Sequence, residues 1–198
     1  LLPDPLDRAL SAGQRAVELE PNSDRTHAAL AKVYFFRGNI SNALSESERA
    51  LKINPHSTAR LFQHGYIVAL SGDWTHGIEF CEKGLEITDR MGSYLWYPKF
   101  LDDYREERYG DALKTIHENG SPKFWVTHAC YAAVHGQLGN ENDATAALTE
   151  LKIQQPEFEK NGSTQLKRCI ASSETLELLL DGLRKAGLSI SDDSIGKT

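Results

Sequence analysis

His128 and His135 stand seven residues apart, close to two turns of a helix, so a helix would carry both imidazoles on one face. Two imidazoles so placed could ligate a metal, yet no H-E-x-x-H or comparable ligand set accompanies them. The run Asp102, Asp103, Tyr104, Arg105, Glu106, Glu107, Arg108 offers paired carboxylates of the kind used in acid–base catalysis. Its charges alternate in sign at helical spacing, which points to a solvated face whose charges pair with one another. Cys81, Cys130 and Cys169 form no C-x-x-C pair and lie among apolar residues, the setting of reduced structural thiols in a cytosolic protein. No G-x-S-x-G, G-x-x-x-x-G-K-[ST] or G-x-G-x-x-G occurs, and Gly120, Ser121, Pro122 and Lys123 make a turn. The segment is therefore expected to be no enzyme and to need no cofactor. A metal-binding or enzymatic domain built on His128, His135 and nearby acids is the rival reading.

The elements that position these residues are set by a repeat. Pro21 and Pro55 are thirty-four residues apart, and Ala16 with Ala50 and Ala9 with Ala43 keep the same interval. Leu30, Tyr34 and Gly38 fall at the spacing of a helix-turn-helix unit. The pattern continues through Leu61, Gly65 and Gly72, with Gly77 and Gly84 where alanines are usual and Asp89 in the proline's place. A shorter unit runs from about Ser93 to Phe124, keeping Trp96 at the large-aromatic slot and Tyr109 and Ala112 at the start of its second helix. A better copy follows with Gly139, Ala144, Leu148 and Pro156. Ser23, Ser57, Asp73 and Asn140 are expected N-caps, and the prolines close helices.

This pattern resembles the tetratricopeptide repeat, whose period is 34 residues. The resemblance implies an all-α fold of helix-turn-helix repeats in a right-handed superhelix, with about four and a half repeats over residues 1–158. Capping helices are expected over 159–188 and a disordered tail over 189–198. In the repeat register His27 and His128 take a large-aromatic slot, His64 a leucine slot and His135 a tyrosine slot, all interior positions. In that family the first helix of each repeat lines a concave groove. Carried onto this chain, the groove holds Arg25, Lys32, Phe36, Phe62, Tyr66, Tyr94, Tyr97, Leu101, Tyr104 and Arg105, an aromatic surface with cationic edges. Aromatics and arginine anchor protein recognition, although the same rings could simply fill space between repeats. The carboxylate clamp for chaperone tails is not met, since Ala28 and Tyr66 stand where lysine or asparagine is needed.

The units from Tyr109 to Phe158 and the tail Leu180, Asp181, Gly182, Leu183, Arg184, Lys185, Ala186, Gly187, Leu188 resemble the repeat region that follows class III nucleotide-cyclase or winged-helix domains in bacterial regulators. That resemblance implies an interaction module of a larger cytoplasmic signalling protein, with any cyclase chemistry in another domain. Leu176, Leu179, Leu180 and Leu183 recur on one side of a helix that Gly187 ends, the pattern of a helix covering a terminal repeat. The chain has 198 residues and a net charge of −6, against nucleic-acid binding, which needs a basic face. No stretch is long and apolar enough to span a membrane. Opening at Leu1 within a half repeat, it is expected to be a piece of a longer protein, with a peptide or protein partner or, through the uncovered N-terminal face, a second copy of itself.

Overall fold

Proline and polar caps fix where the helices begin and end. The computed structural model describes residues 4–88 and 96–190 and holds, among them, eleven helices and no strand. Helices α1 (Pro5–Leu19), α3 (Ile40–Ile53) and α9 (Glu141–Gln154) each stop two residues before Pro21, Pro55 and Pro156, which cannot supply the next backbone donor. Asp4, Asn39, Asp73 and Ser172 each accept a hydrogen bond from a first-turn amide. Ser23, Ser57 and Asn140 stand at N-cap positions, but their side chains make no capping bond. At Ser23 the start of α2 (Asp24–Phe36) is tied instead by the Thr26 hydroxyl, which donates to the Ser23 and Glu20 carbonyls.

The chain divides into two compact units, Leu1–Met91 and Gly92–Thr198. In the first, α1 packs on α2, α2 pairs with α3, and α4 (Thr58–Leu70) pairs with α5 (Trp74–Ile87). In the second, α6 (Trp96–Arg105) pairs with α7 (Tyr109–Asn119) and α8 (Trp125–Leu138) with α9. Helices α10 (Phe158–Cys169) and α11 (Ser173–Lys185) complete it. Residues 89–95 and 191–198, which include Asp89, Tyr94 and most of the tail expected to be disordered, lie outside the described residues.

Small residues let the paired helices close. Ala31, Ala43, Ala132 and Ala144 are buried at the slots where first and second helices meet. Between α4 and α5 the approach is closer still, because a Cβ built on Gly65 would stand 2.6 Å from the Gly77 carbonyl oxygen. One built on Gly77 would run into the backbone of Ala69. Larger side chains fill the spaces this leaves, Leu30, Phe35, Ile67 and Leu70 in the first unit and Phe100, Ile116, Leu151 and Phe158 in the second.

Each hairpin turns through one residue of positive φ. Gly38 (φ 74°), Gly72 (φ 110°) and Gly139 (φ 70°) serve three of them. The α6–α7 turn uses Glu107 at φ 59°, where a Cβ is strained. Replacing Glu107 by glycine is expected to raise the stability of the second unit by roughly 0.5–1 kcal/mol, the relief of left-handed strain less the added chain entropy. Urea unfolding of Glu107→Gly against the unmodified chain measures it; an unchanged or lower midpoint means the neighbouring contacts of the glutamate outweigh the strain.

Candidate functional site

In the first unit, α2 and α4 present one continuous face. Arg25, Lys32 and Phe36 recur at seven and four residues along α2 and are exposed, Phe36 at 39%. On α4, Tyr66 is half-buried, its ring edge-on to Phe35 with centroids 6.1 Å apart. Arg60 bridges the helices, 3.3 Å from Asp24 and donating to the Gln63 side-chain oxygen, while the Gln63 amide donates to the Ala28 carbonyl. Partial desolvation, together with the Arg60 guanidinium, holds the Lys32 ammonium below its ordinary pKa. Phe62 is not on this surface. It is buried, and its ring lies on the backbone of α5, filling the room left by Gly84.

In the second unit the corresponding positions are covered. Tyr97 (4% exposed), Leu101 (0%) and Tyr104 (1%) are core residues, and only Arg105 of the expected set keeps partial exposure. The cover over Tyr104 is α11: the Tyr104 hydroxyl donates to the Leu178 carbonyl at 3.2 Å and lies 3.5 Å from the Ala133 carbonyl of α8. Gly182 makes the fit possible, since a Cβ there would collide with that hydroxyl and stand 2.7 Å from the Ala133 oxygen. The leucine stripe Leu176, Leu179, Leu180 and Leu183 is thus buried on the sides of first helices. Tyr94 lies outside the described residues.

The residues that suggested chemistry have structural roles. His128 and His135 are half-buried, and each has its own neighbours: the His128 Nε2 lies 2.9 Å from the Pro122 carbonyl, while His135 stacks on Tyr131. His27, at the same repeat slot as His128, makes the same bond to the carbonyl six residues before it, Pro21, at 2.9 Å, and its Nδ1 meets Glu46 at 2.6 Å. The acidic run is paired, but not wholly solvated as its charge pattern suggested. Arg105 holds Asp102, and Arg108 holds Asp102 and Asp103, with Asp103 buried at 3%. Asp103 occupies the slot where Tyr34 stands two repeats earlier, so a charge there must be paired. Burial pushes the Cys81 thiol up to about 12 and raises Cys130 and Cys169 too, which disfavours the reactive thiolate. Among the described residues no group of three or more His, Cys, Asp and Glu could hold a metal, and no helix is long and apolar enough to cross a membrane.

One pair has the distance of a nucleophile and its base: the Ser47 Oγ lies 2.8 Å from the His64 Nδ1. Ser47 is only 2% exposed, however, and its hydroxyl donates to the Leu44 carbonyl at 3.0 Å, so Oγ accepts from the His64 Nδ1–H.

No family model and no curated protein matches the chain. Solved structures do. One similar structure is that of YrrB, described as a TPR protein with an unusual peptide-binding site, at 14% identity over 90% of this chain and 94% of that one, with a TM-score of 0.53. A second is a tetratricopeptide repeat protein from Parabacteroides merdae ATCC 43184, at 17% identity over 92% of this chain and 78% of that one, with a TM-score of 0.59. The chain has the tetratricopeptide repeat fold. Within that fold the accessible part of the expected groove is Arg25, Lys32, Phe36 and Tyr66, with Arg105 apart in the second unit. Arg60 and Gln63 were missed from sequence. They sit beside the first-helix stripe rather than on it, and the only available signal was the three-residue spacing of Arg60, Gln63 and Tyr66 and the opposite charge of Asp24.

His64 ties the first unit to pH. Desolvation holds its pKa below the ordinary value, only partly offset by the Glu48 carboxylate; Ser47 and the Phe80 ring complete its surroundings, and His76 lines the same cleft. The folded state keeps this ring neutral while the unfolded chain protonates near pH 6.5, so its contribution is present above that value and lost as pH falls below it. His64→Leu is expected to flatten the loss of stability between pH 7.5 and 5, read as urea midpoints at both values. An equal loss in both proteins would remove His64 as the cause.

Proposed function

We propose that this chain is a repeat module that binds a protein or peptide, and that the α2/α4 face of the first unit is where it does so. The observation that carries the reading is the contrast between the two units: the same register is open, aromatic and cationic in the first and covered in the second. Tyr66 and Phe36 supply apolar contact area, and Arg25 and Lys32 supply charge that favours a partner with carboxylates. YrrB, described as having a peptide-binding site, shares the fold and so supports the class of function, without indicating which residues are used.

The wider setting belongs to the same proposal: an interaction module of a larger bacterial signalling protein, working in the cytoplasm. It rests on the sequence pattern of the last repeats and of the tail from Leu180 to Leu188 alone; neither similar structure is described as such a regulator. Self-association is the second reading. One observation favours it: the main packing of α1 among the described residues is on α2, and its stripe of Leu6, Ala9, Leu10, Ala16 and Val17 is only half-buried. Sedimentation over a hundredfold concentration range decides that reading, since a dimer through α1 must dissociate on dilution.

To test the face, dodecamer peptides are selected from a random displayed library against the full chain and their affinities measured by fluorescence anisotropy. Tyr66→Ala and Lys32→Glu are each expected to weaken the selected peptides about tenfold. Arg49→Glu, an exposed change on α3, leaves them unaffected. Peptides that bind all these proteins equally place recognition elsewhere.

A further inference from the structure

Helix α11 behaves in the packing as a ligand of the second unit. Every other consecutive helix pair within a hairpin joins neighbours in sequence, whereas α11 makes its main contact with α8, more than forty residues away as measured by the Gln137–Asp181 bond. It also reaches α6 through the Tyr104 hydroxyl. Its bond to its own neighbour α10 is slight by comparison.

The fit has the features of a helix laid in a prepared groove. Gly136 and Gly182 cross with their backbones in contact: a Cβ on Gly136 would run into the Gly182 carbonyl and stand 2.7 Å from the Ala186 nitrogen. Glycine is therefore needed on both sides of the crossing. Apolar anchoring comes from Leu179, Leu180 and Leu183, which are fully buried or nearly so. Register is set by a polar network at the rim, where the Gln137 amide donates to Asp181 at 3.0 Å and Lys185 donates to the Gln137 oxygen at 2.8 Å. Lys185 pairs with Asp181 as well, at 2.8 Å.

The receptor side is shaped for this occupant at the positions that stay open in the first unit. Counting along the first helices, Arg25, Lys32 and Phe36 of α2 correspond to Val126, Ala133 and Gln137 of α8. Lys32 is replaced by the small Ala133, which lies against Gly182 of α11, and Phe36 by Gln137, whose side-chain amide bonds Asp181 and Lys185 of α11. On α6, Tyr104 turns its hydroxyl onto the α11 backbone rather than into solvent.

We propose that the α6/α8 face of the second unit is a receptor for an amphipathic helix, that α11 occupies it as an internal ligand, and that a partner helix of the same pattern takes its place. The pattern is leucine at i, i+3, i+4 and i+7, a carboxylate at i+5 and glycine at i+6, as in Leu176 to Leu183. Being tethered, α11 competes at an effective concentration of order millimolar, so an outside helix succeeds only by binding more tightly or when α11 is loosened. This face is separate from the one proposed on the first unit, and either can stand without the other.

Two measurements test it. The first uses the unmodified chain: amide hydrogen exchange should show α11 opening on its own, with exchange at least about tenfold faster than in α8 and α9. Equal protection of α11 and α8 would mean that α11 leaves only when the unit unfolds, and the proposal falls. The second uses a fluorescein-labelled peptide of residues 171–190 and the full chain carrying Gly182→Leu or Gly136→Leu. Both changes expel α11, but only the first leaves the receptor intact. The peptide is expected to bind Gly182→Leu at least about tenfold more tightly than the unmodified chain and to ignore Gly136→Leu. A Gly182→Leu chain that keeps its helicity yet does not bind the peptide overturns the proposal. If that variant loses its fold, the exchange measurement on the unmodified chain decides alone.

Discussion

The distance at which two helices of a hairpin can approach governs everything else in this molecule. It is set by backbone meeting backbone at Gly65 and Gly77, and by alanines at the matching slots of other hairpins. Helices this close leave no room between them for large side chains, which are pushed to the flanks and must be covered by the next hairpin. That is why an amphipathic pair from this sequence has no stability alone, and why a methyl group added at Gly77 would have to move the Ala69 backbone. The Gly136–Gly182 crossing applies the same constraint to a helix that is not a hairpin partner. Close approach is what makes α11 fit so specifically.

From that constraint the two faces diverge. Where the first helices carry long side chains, as at Arg25, Lys32 and Phe36, no further helix can settle on them and the face stays in solvent. Where they carry alanine and glycine, a helix can pack down to backbone distance and bury its leucines. Burial of Leu179, Leu180 and Leu183 removes apolar surface from water and favours the docked helix, while the chain entropy lost on ordering it opposes docking.

The periodic part of the fold was legible in the sequence because prolines, small residues and turn glycines recur at a fixed interval, and each has a local physical cause. The ends of α1, α3 and α9 follow from Pro21, Pro55 and Pro156. Which residues share a first-helix face was legible, but not which of them stay accessible. Register alone tells which residues lie on a first-helix face but not whether another segment will cover that face. Tyr97, Leu101 and Tyr104 therefore looked like recognition residues and are core. The leucine stripe of α11 announced a buried helix, yet its destination depends on Gly136 and Gly182 meeting across forty-six positions, a pairing that no local pattern encodes. Asp103 escaped for a related reason, since alternating charge says that a carboxylate is paired and not that it is buried.

Charge separates the two faces further. The chain as a whole is acidic, at −6, so cations gathered on the α2/α4 face lie within a repulsive field for any acidic partner at long range. At physiological salt that field decays within about 8 Å, whereas contacts to Lys32 and Arg25 act at closer range. On the proposed reading, attraction at this face is thus short-ranged, with apolar contact area coming from Tyr66 and Phe36 and orientation from the cations. The α11 face works in the opposite way: its apolar seam contributes most of the burial, and the Gln137, Asp181 and Lys185 network fixes which register of an amphipathic helix is accepted. The two proposed faces thus differ in chemistry, one offering rings and cations on an open surface and the other shape at a glycine crossing.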